Sequence, residues 1–456
     1  MQTEDVHLIY SERLRQRRQS LKEFLIRARA AGYLRGGAGL LIPVTVWLVF
    51  VPHVVSGWVV LIPAAAFFGL HRYYEDTHGK LNRAKRAIEF YEKGIARVEN
   101  RWMGAGITHT AFADTDHLYA NDLDIFGKGS LFELLCTART RFGQNMLAAW
   151  FCTPASRSEI LRRQEAIEEL RSNLDLREEL SVFGPDRAAI DFDLATEWAF
   201  QPSLLNSAMA RVIAPILAAL TMAAVGYAYW FRGEPMWMIL AAAVQAGFAL
   251  AYRKRVKDVI LAIPAPAGEL QLLEVPLTRL EREAFSSPRL RELRAALQTA
   301  GRSASQRLRT LIGLNEMLEY RRNSSIGPFL CTLLWATQVA FAIEAWRSQH
   351  RKDLQHWMRI VGEFEVLSAL AGFGFEHPEC PFPEILEGPA RLEGDALRHP
   401  LLPETQCVPN SLSLSAAAFS CSSSAAPICP ARVHCCGQLV LMLCWLKPEL
   451  QYVRGI

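Results

Sequence analysis

The side chains with the greatest potential for metal chemistry lie near the end of the chain, where thiols and an imidazole are close together. Thiolate sulfur and imidazole nitrogen are preferred ligands of zinc. The candidates are Cys429, His434, Cys435, Cys436 and Cys444. Their spacings fit no common zinc template, so the sequence predicts no metal site. The His, Asp and Glu residues elsewhere form no recognisable catalytic set, and we predict no catalytic residues.

Basic side chains are concentrated between Arg289 and Arg322, where they could contact the phosphates of a nucleic acid. Solvated helix faces carry such charges more often than nucleic-acid sites do. The whole chain has 50 basic and 46 acidic residues, a net charge of +4, so it lacks a global nucleic-acid signature. The sequence therefore leaves the DNA-binding residues unknown.

Composition points to a protein that lies partly in a membrane. Hydrophobic residues make up 51% of the 456 residues, yet 21% are charged, and the mean hydropathy is +0.09. These values predict a few membrane spans joined to a soluble helical body. The ten cysteines include no CxxC pair, which favours a reducing compartment over a disulfide-built fold.

Two pairs of apolar segments are candidates for transmembrane hairpins. The first pair, residues 36–72, is short and is interrupted by Pro52-His53. The second, residues 208–252, has one apolar run from Val212 to Phe231 and a return from Met236 to Tyr252. A span needs about 20 apolar residues, so the second hairpin is the clearer prediction. The alternative for each pair is two buried core helices.

Basic residues indicate how these hairpins are oriented. Lys and Arg are retained on the cytoplasmic side of bacterial membrane proteins. They flank both hairpins, whereas the hairpin tips carry only Arg232. The flanking residues include Arg29, Arg35, Arg72, Lys80, Arg211, Arg253, Lys254, Arg255 and Lys257. We expect a multi-pass protein of the bacterial inner membrane with its soluble body and both termini in the cytoplasm.

A third apolar stretch, Pro328 to Trp346, is long enough to span but contains Thr337, Gln338 and Glu344. We predict that it is a buried helix of the soluble body. Helical spacing also predicts a helix from Leu131 to Phe151. Ser156 is a candidate N-cap for the charged helix that follows, and longer helices are expected over 270–320 and 357–373.

An ordered series of short motifs runs from Asp122 to Leu414. It begins within DLDIFGKGSLFELLCTARTRFGQNMLAAWFCTP, residues 122–154. The key positions there are Gly129, Ser130, Leu131, Thr140, Gly143, Leu147, Trp150 and Pro154. A charged, amphipathic helical segment at 162–180 follows, then Arg398-His399-Pro400-Leu401 and Cys407-Val408-Pro409-Asn410. This series resembles the MutS family of DNA mismatch-repair ATPases, in particular a short membrane-anchored bacterial branch.

The resemblance implies a helical core with lever helices, ATP and Mg²⁺ as cofactors of intact relatives, mismatched DNA as ligand, and a homodimer. It also implies that Pro409 and Asn410 are a remnant of the nucleotide site. Phe90-Tyr91-Glu92 is similar to the family's Phe-x-Glu wedge. Since it follows an apolar span within a charged helix, we expect a solvated helix face there.

The phosphate-binding loop of such an ATPase is absent from the sequence. The loop, G-x-x-x-x-G-K-[ST], cradles phosphates with backbone N–H groups and holds Mg²⁺ through its Ser or Thr. It is expected soon after Asn410, but Ser411 to Ser424 is almost entirely Ser and Ala, and no such motif occurs in the chain. We therefore expect no intact nucleotide-binding residues and no bound cofactor in this chain.

A change of reading frame accounts for this loss. Across Ser420 to Leu446, the last base of each codon can be read with the first two of the next. Allowed codons then spell LLVVSGSNMSGKSTLLRTVGVNAVLA, which contains GSNMSGKS at the expected place. We infer that residues from about Ala416 onward are translated out of frame and have no stable fold.

The predicted fold is mainly α: two transmembrane hairpins, a MutS-like helical core and lever body, and only the first edge of an α/β ATPase domain. The predicted segments are a basic amphipathic helix (1–35), a first hairpin (36–72), a helical connector (73–116), the first core segment (117–207), a second hairpin (208–252), the second core segment with the levers (253–395), the start of the ATPase domain (396–415) and the tail (416–456). Two functions fit: a membrane-anchored, ATPase-inactive MutS-like protein whose partners are lipid and DNA, or an inert membrane-anchored helical scaffold.

Overall fold

The computed structural model describes residues 3–51, 56–108, 117, 120–185, 189–231, 233–299, 301–319, 327–387, 391–403, 406–415 and 452–454. The described chain is mainly α, as predicted. It divides into two compact units. The first comprises Met1–Arg139, Leu147–Ala188 and Glu365–Ile456, and the second comprises Thr140–Met146 and Ala189–Phe364.

The first unit is built on two long helices that run antiparallel. Helix α1 spans Thr3–Phe50, a 3₁₀ turn covers Gly57–Val60, and α2 spans Leu61–Val98. Each helix continues without a break through residue 35 or 72, where the sequence places the limits of the first apolar hairpin. The two helices pack side by side: Tyr10 meets Tyr91 at one end, and Arg35 lies 4.1 Å from the Tyr74 ring centre further along.

Shorter helices follow: α3 (Leu131–Leu135), α4 (Arg141–Cys152), α5 (Arg157–Ser172) and α6 (Leu174–Val182). The predicted single helix from Leu131 to Phe151 is wrong. The chain is extended at the end of the intervening segment, where the Arg139 backbone N–H donates to the Glu365 carboxylate at 2.8 Å. The predicted N-cap is confirmed, since Ser156 Oγ accepts from the Glu159 N–H at 3.3 Å.

The second unit contains α7 (Asp193–Phe200), α8 (Ala208–Trp230), α9 (Pro235–Ala262), α10 (Pro264–Arg282), α11 (Pro288–Ala296), a small hairpin of β1 (Gln298–Thr299) and β2 (Arg302–Ser303), α12 (Ala304–Glu319) and α13 (Gly327–Thr332). Helix α14, Trp335–Glu376, starts in this unit and ends in the first. The predicted helices over 270–320 are therefore present, with β1 and β2 between α11 and α12.

Three helices, α1, α8 and α9, are long and apolar enough to cross a membrane. Helices α8 and α9 coincide with the predicted second hairpin and expose large apolar side chains such as Ile216, Leu220, Trp237 and Leu240. Within the described residues, α2 does not meet the same criteria. The stretch from Pro328 to Trp346 is mostly buried or half-buried from Leu330 onward, as predicted, but it forms parts of two helices, α13 and α14, with a turn at Leu333 and Leu334 between them.

A four-stranded sheet follows α14. Its strands are β3 (Glu384–Ile385), β4 (Arg391–Leu397), β5 (Asn410–Ser415) and β6 (Tyr452–Arg454), in the order β3-β6-β4-β5. Strands β4 and β5 pair antiparallel, and β6 pairs parallel with β4. Of the predicted tail, residues 416–451, 455 and 456 lie outside the described residues.

Candidate functional site

The predicted remnant of the nucleotide site lies at the start of β5 in the first unit. Val408, Pro409 and Asn410 are exposed, and the Asn410 side-chain amide donates to the Val408 carbonyl at 3.0 Å. The segment is therefore solvent-facing, irregular chain that leads into the sheet.

A cavity of about 410 Å³ lies beside this segment and was not predicted. Its walls come from four separate stretches of chain, and the lining includes Trp102, Leu134, Phe373, His377, Glu379, Arg398, His399 and Cys407. Cys407 Sγ accepts a hydrogen bond from the His399 N–H at 3.2 Å. The His377 ring, 3.7 Å from the Glu379 carboxylate, lowers the pKa of Glu379. The lining combines aromatic rings with charges of both signs, which suits a small ligand with apolar and polar parts.

The Gly-Ser-Leu motif begins α3 through backbone geometry. Gly129 has φ of +75°, a conformation that L side chains rarely adopt. Ser130 Oγ then caps the helix by accepting from the Glu133 N–H at 3.2 Å. The Glu133 carboxylate in turn accepts from the Gly129 and Gly106 N–H groups at 2.6 and 2.9 Å. This motif therefore builds a helix start, and its polar groups are used in doing so.

The next motif positions also have structural roles. Thr140 Oγ1 accepts from the Gly143 N–H at 3.0 Å at the start of α4. A β-carbon on Gly362 would lie 3.1 Å from the Gly143 nitrogen, so α14 passes α4 at backbone contact. Further along, Leu147 is fully buried, and Arg163 stacks 3.6 Å from the Trp150 ring centre.

A buried ionic network joins α1, α2 and the end of α14 within the first unit. Glu376, 1% exposed, accepts from Arg97 Nε at 2.8 Å and from the Tyr10 hydroxyl at 3.1 Å. Burial alone lowers the pKa of Arg97, but the Glu376 carboxylate more than offsets this and the net pKa is raised. The network links α1 and α2 to the helix that leads into the sheet.

The predicted solvated face at Phe90-Tyr91-Glu92 is wrong for its central residue. Tyr91 is fully buried, and its hydroxyl donates to Glu178 at 2.5 Å. Burial, and then this hydrogen bond, raise the pKa of Tyr91. Glu92 is exposed and pairs with Arg18 at 2.7 Å. Tyr91 therefore belongs to the core, and nothing in its setting resembles a side chain poised to enter DNA.

Several arginines of the basic stretch have partners inside the second unit. Arg289 Nε lies 2.6 Å from Glu363, Arg307 lies 3.2 Å from Asp353, and Arg309 lies 2.6 Å from Glu274. These ion pairs connect α11 and α12 to α14 and α10. The five candidate metal ligands in the tail all lie outside the described residues. Among residues that are described, no group of three His, Cys, Asp or Glu side chains is placed to hold a metal.

The fold and the motif geometry together define a helical core with capped, closely packed helices and an apolar hairpin. Residues 115–221 match the family model described as MutS domain III. This match includes all positions of the motif series from 122 to 154 and supports membership of the MutS family. No curated protein and no solved structure is significantly similar to the chain.

Proposed function

We propose that this chain is a membrane-anchored MutS-like protein whose intact relatives couple ATP binding to the binding of mismatched DNA. The observation that carries the proposal is the MutS domain III match over 115–221, which extends into the first helix of an apolar hairpin. In the family, a helical core of this kind transmits conformational changes from a nucleotide site to a nucleic-acid site. By the same resemblance, the chain would act as a homodimer.

Membrane anchoring is supported by the exposed apolar faces of α8 and α9 and by the basic residues beyond them. A soluble monomer rarely exposes large contiguous apolar patches, so these faces are expected to meet lipid. Arg253, Lys254, Arg255 and Lys257 follow the apolar part of α9, and only Arg232 lies in the tip of that hairpin. The distribution favours a bacterial inner-membrane protein with its body and both termini in the cytoplasm.

We further propose that the chain as written does not hydrolyse ATP. It contains no phosphate-binding loop, no loop Lys and no Ser or Thr to hold Mg²⁺. Pro409 and Asn410 alone would make at most a weak contact with a nucleotide. The reading-frame account explains why the strand that precedes the loop is present while the loop is not.

A catalytically inert, membrane-anchored scaffold is the alternative. The ion pairs of Arg289, Arg307 and Arg309 favour it, because these guanidinium groups are already neutralised within the protein. A DNA-binding surface needs cations that can exchange counterions for phosphates.

A measurement of DNA binding by the full chain in lipid nanodiscs distinguishes the two functions. Gel-shift titrations with mismatched, matched and single-stranded DNA are run over a series of salt concentrations, with empty nanodiscs as control. Binding that weakens steeply with salt supports the MutS-like function. No shift at low salt supports the scaffold.

A further inference from the structure

A pocket of about 380 Å³ lies in the second unit where α9 leaves its apolar segment. One wall is the α9 stripe of Ala249, Val256 and Ile260, and the other is formed by Leu330, Leu334 and Trp335 from α13 and the start of α14. These walls are apolar. The pocket therefore resembles a slot for a hydrocarbon chain that opens beside the predicted membrane surface.

Two cations line the same pocket. Arg253 and Lys257 are one helical turn apart on α9, and both side chains are exposed. Within the residues that the structure describes, neither forms an ion pair or hydrogen bond. Lys254 and Arg255 are on the same turns of α9 but do not line the pocket. The two pocket cations are thus available to an external anion.

Ala249 and the two pocket cations lie at different depths along α9. Ala249 is in the last apolar turn, and Lys257 lies eight residues further along. At a rise of about 1.5 Å per residue, Lys257 lies roughly 12 Å along the helix axis from Ala249, and the last lining residue of α9, Ile260, lies roughly 16 Å from it. With α9 in a membrane, the pocket would run from the hydrocarbon edge into the zone of lipid headgroups, where anionic lipids attract basic residues.

The pocket wall is held by specific contacts. Gln245, buried on α9, donates from Nε2 to the Thr332 carbonyl at 2.7 Å and fixes the end of α13. Leu334 has φ of +51°, a strained conformation for a branched side chain. This turn separates α13 from α14 and places buried Leu334 in the wall. Trp335 is oriented by its indole N–H, which donates to the Met317 carbonyl at 2.9 Å.

We propose that this pocket binds one anionic phospholipid of the membrane that α8 and α9 enter. Its phosphate lies between Arg253 and Lys257, and an acyl chain follows the wall of Ala249, Leu330 and Leu334. The inference rests on the proposed membrane anchoring. It adds a specific lipid partner, whose charge complements the cations and whose chain complements the apolar wall. Bound there, the lipid would join α9 to α13 and α14.

The test uses the full chain in zwitterionic detergent with added phosphatidylglycerol, phosphatidylcholine or inorganic phosphate. Cys331 lines the pocket and is exposed, so its alkylation rate, read by peptide mass spectrometry, reports occupancy. We expect phosphatidylglycerol to slow alkylation several-fold and to raise Tm. Phosphatidylcholine and inorganic phosphate should do neither.

Variants separate a pocket from general electrostatics. The double variant Arg253→Gln with Lys257→Gln should lose the protection, whereas Lys254→Gln with Arg255→Gln removes the same charge from the same helix and should keep it. Ala249→Phe fills the apolar wall without a change in charge and should also lose it. Equal loss in both double variants, or equal protection by inorganic phosphate or phosphatidylcholine, would overturn the proposal.

Flotation with liposomes distinguishes this proposal from the one on which it rests. A chain that fails to float contradicts membrane anchoring itself. A chain that floats, but whose Cys331 is not protected from alkylation by phosphatidylglycerol, contradicts only the lipid pocket.

Discussion

Gly362 on α14 and Gly143 on α4 approach so closely that a β-carbon on Gly362 would lie 3.1 Å from the Gly143 backbone nitrogen. The neighbouring atoms are backbone and cannot rotate away. We expect Gly362→Ala to destabilise the protein by about 1–3 kcal/mol, the usual cost of overpacking. Thermal unfolding in nanodiscs measures this as a lower Tm.

Gly313→Ala is the matched control for that substitution. Gly313 is also inside a helix, α12, but nothing lies within 4 Å of the β-carbon it would gain. Alanine there should raise stability by about 0.5–1 kcal/mol through helix propensity. If both variants shift Tm in the same direction, the close approach of α4 and α14 is not real.

Glu376 is the centre of the buried ionic network, so its neutralisation should be costly. Glu376→Gln leaves the Arg97 guanidinium in a buried site without a counter-charge, which typically costs about 3–5 kcal/mol. Tyr10→Phe leaves the ion pair in place, removes the hydroxyl that donates to Glu376, and should cost about 1 kcal/mol. Glu92→Gln breaks an exposed pair with Arg18 and should change Tm little. A Tm for Glu376→Gln equal to that of Glu92→Gln would contradict the network.

Cys136 should be unreactive in the folded protein. Burial raises the pKa of its thiol from 9.0 to about 12, so the reactive thiolate is scarce at neutral pH. The thiol has its ordinary pKa of 9.0 in the unfolded chain and the raised pKa in the folded protein. The stability that depends on this group is therefore complete below pH 9, and the free energy of unfolding falls as the pH rises from 9 toward 12. Pulsed alkylation at pH 8 should label exposed Cys331 quickly and Cys136 only after denaturation. Equal rates in the folded state would show that the site opens to solvent.

Topology is tested with reporters. A reporter fused after Ile456, or inserted within Asp122 to Pro154, should be active only in its cytoplasmic form, because basic residues flank both hairpins on that side. A reporter fused at Arg232, in the tip of the second hairpin, is the control and should be active only in its periplasmic form. Periplasmic labelling of a cysteine introduced near Ser130 would contradict the orientation.

Nucleotide binding depends on the reading frame. Calorimetry on the chain as written should detect no saturable ATP binding. One base inserted or deleted upstream of the Cys421 codon should restore a phosphate-binding loop, and ATP at 100 times its Kd should then stabilise the protein by about 2.7 kcal/mol. Micromolar ATP affinity without that change, or a gene with no continuing frame for an ATPase, would contradict the account.

Local chemistry made several features predictable from the sequence. The Ser156 cap and the apolar runs of α8 and α9 depend on residues within a turn or two of each other, and the structure has them where expected. The family resemblance likewise came from short, ordered motifs. The physical roles of these motifs could not be predicted from the sequence. For example, Gly143 permits close contact with Gly362, which lies 219 positions further along the chain.

Only the tertiary structure decided which polar residues are buried and which helices break. Tyr91 sits in a charged helix, yet Glu178 on α6 and the packing of α1 draw it into the core. The helix expected from Leu131 to Phe151 is interrupted because Arg139 has a partner 226 residues away in Glu365. Periodicity reports only which face of a segment is apolar. Partners distant in sequence determine what that face meets, since a buried N–H or hydroxyl is stable only where the fold supplies an acceptor.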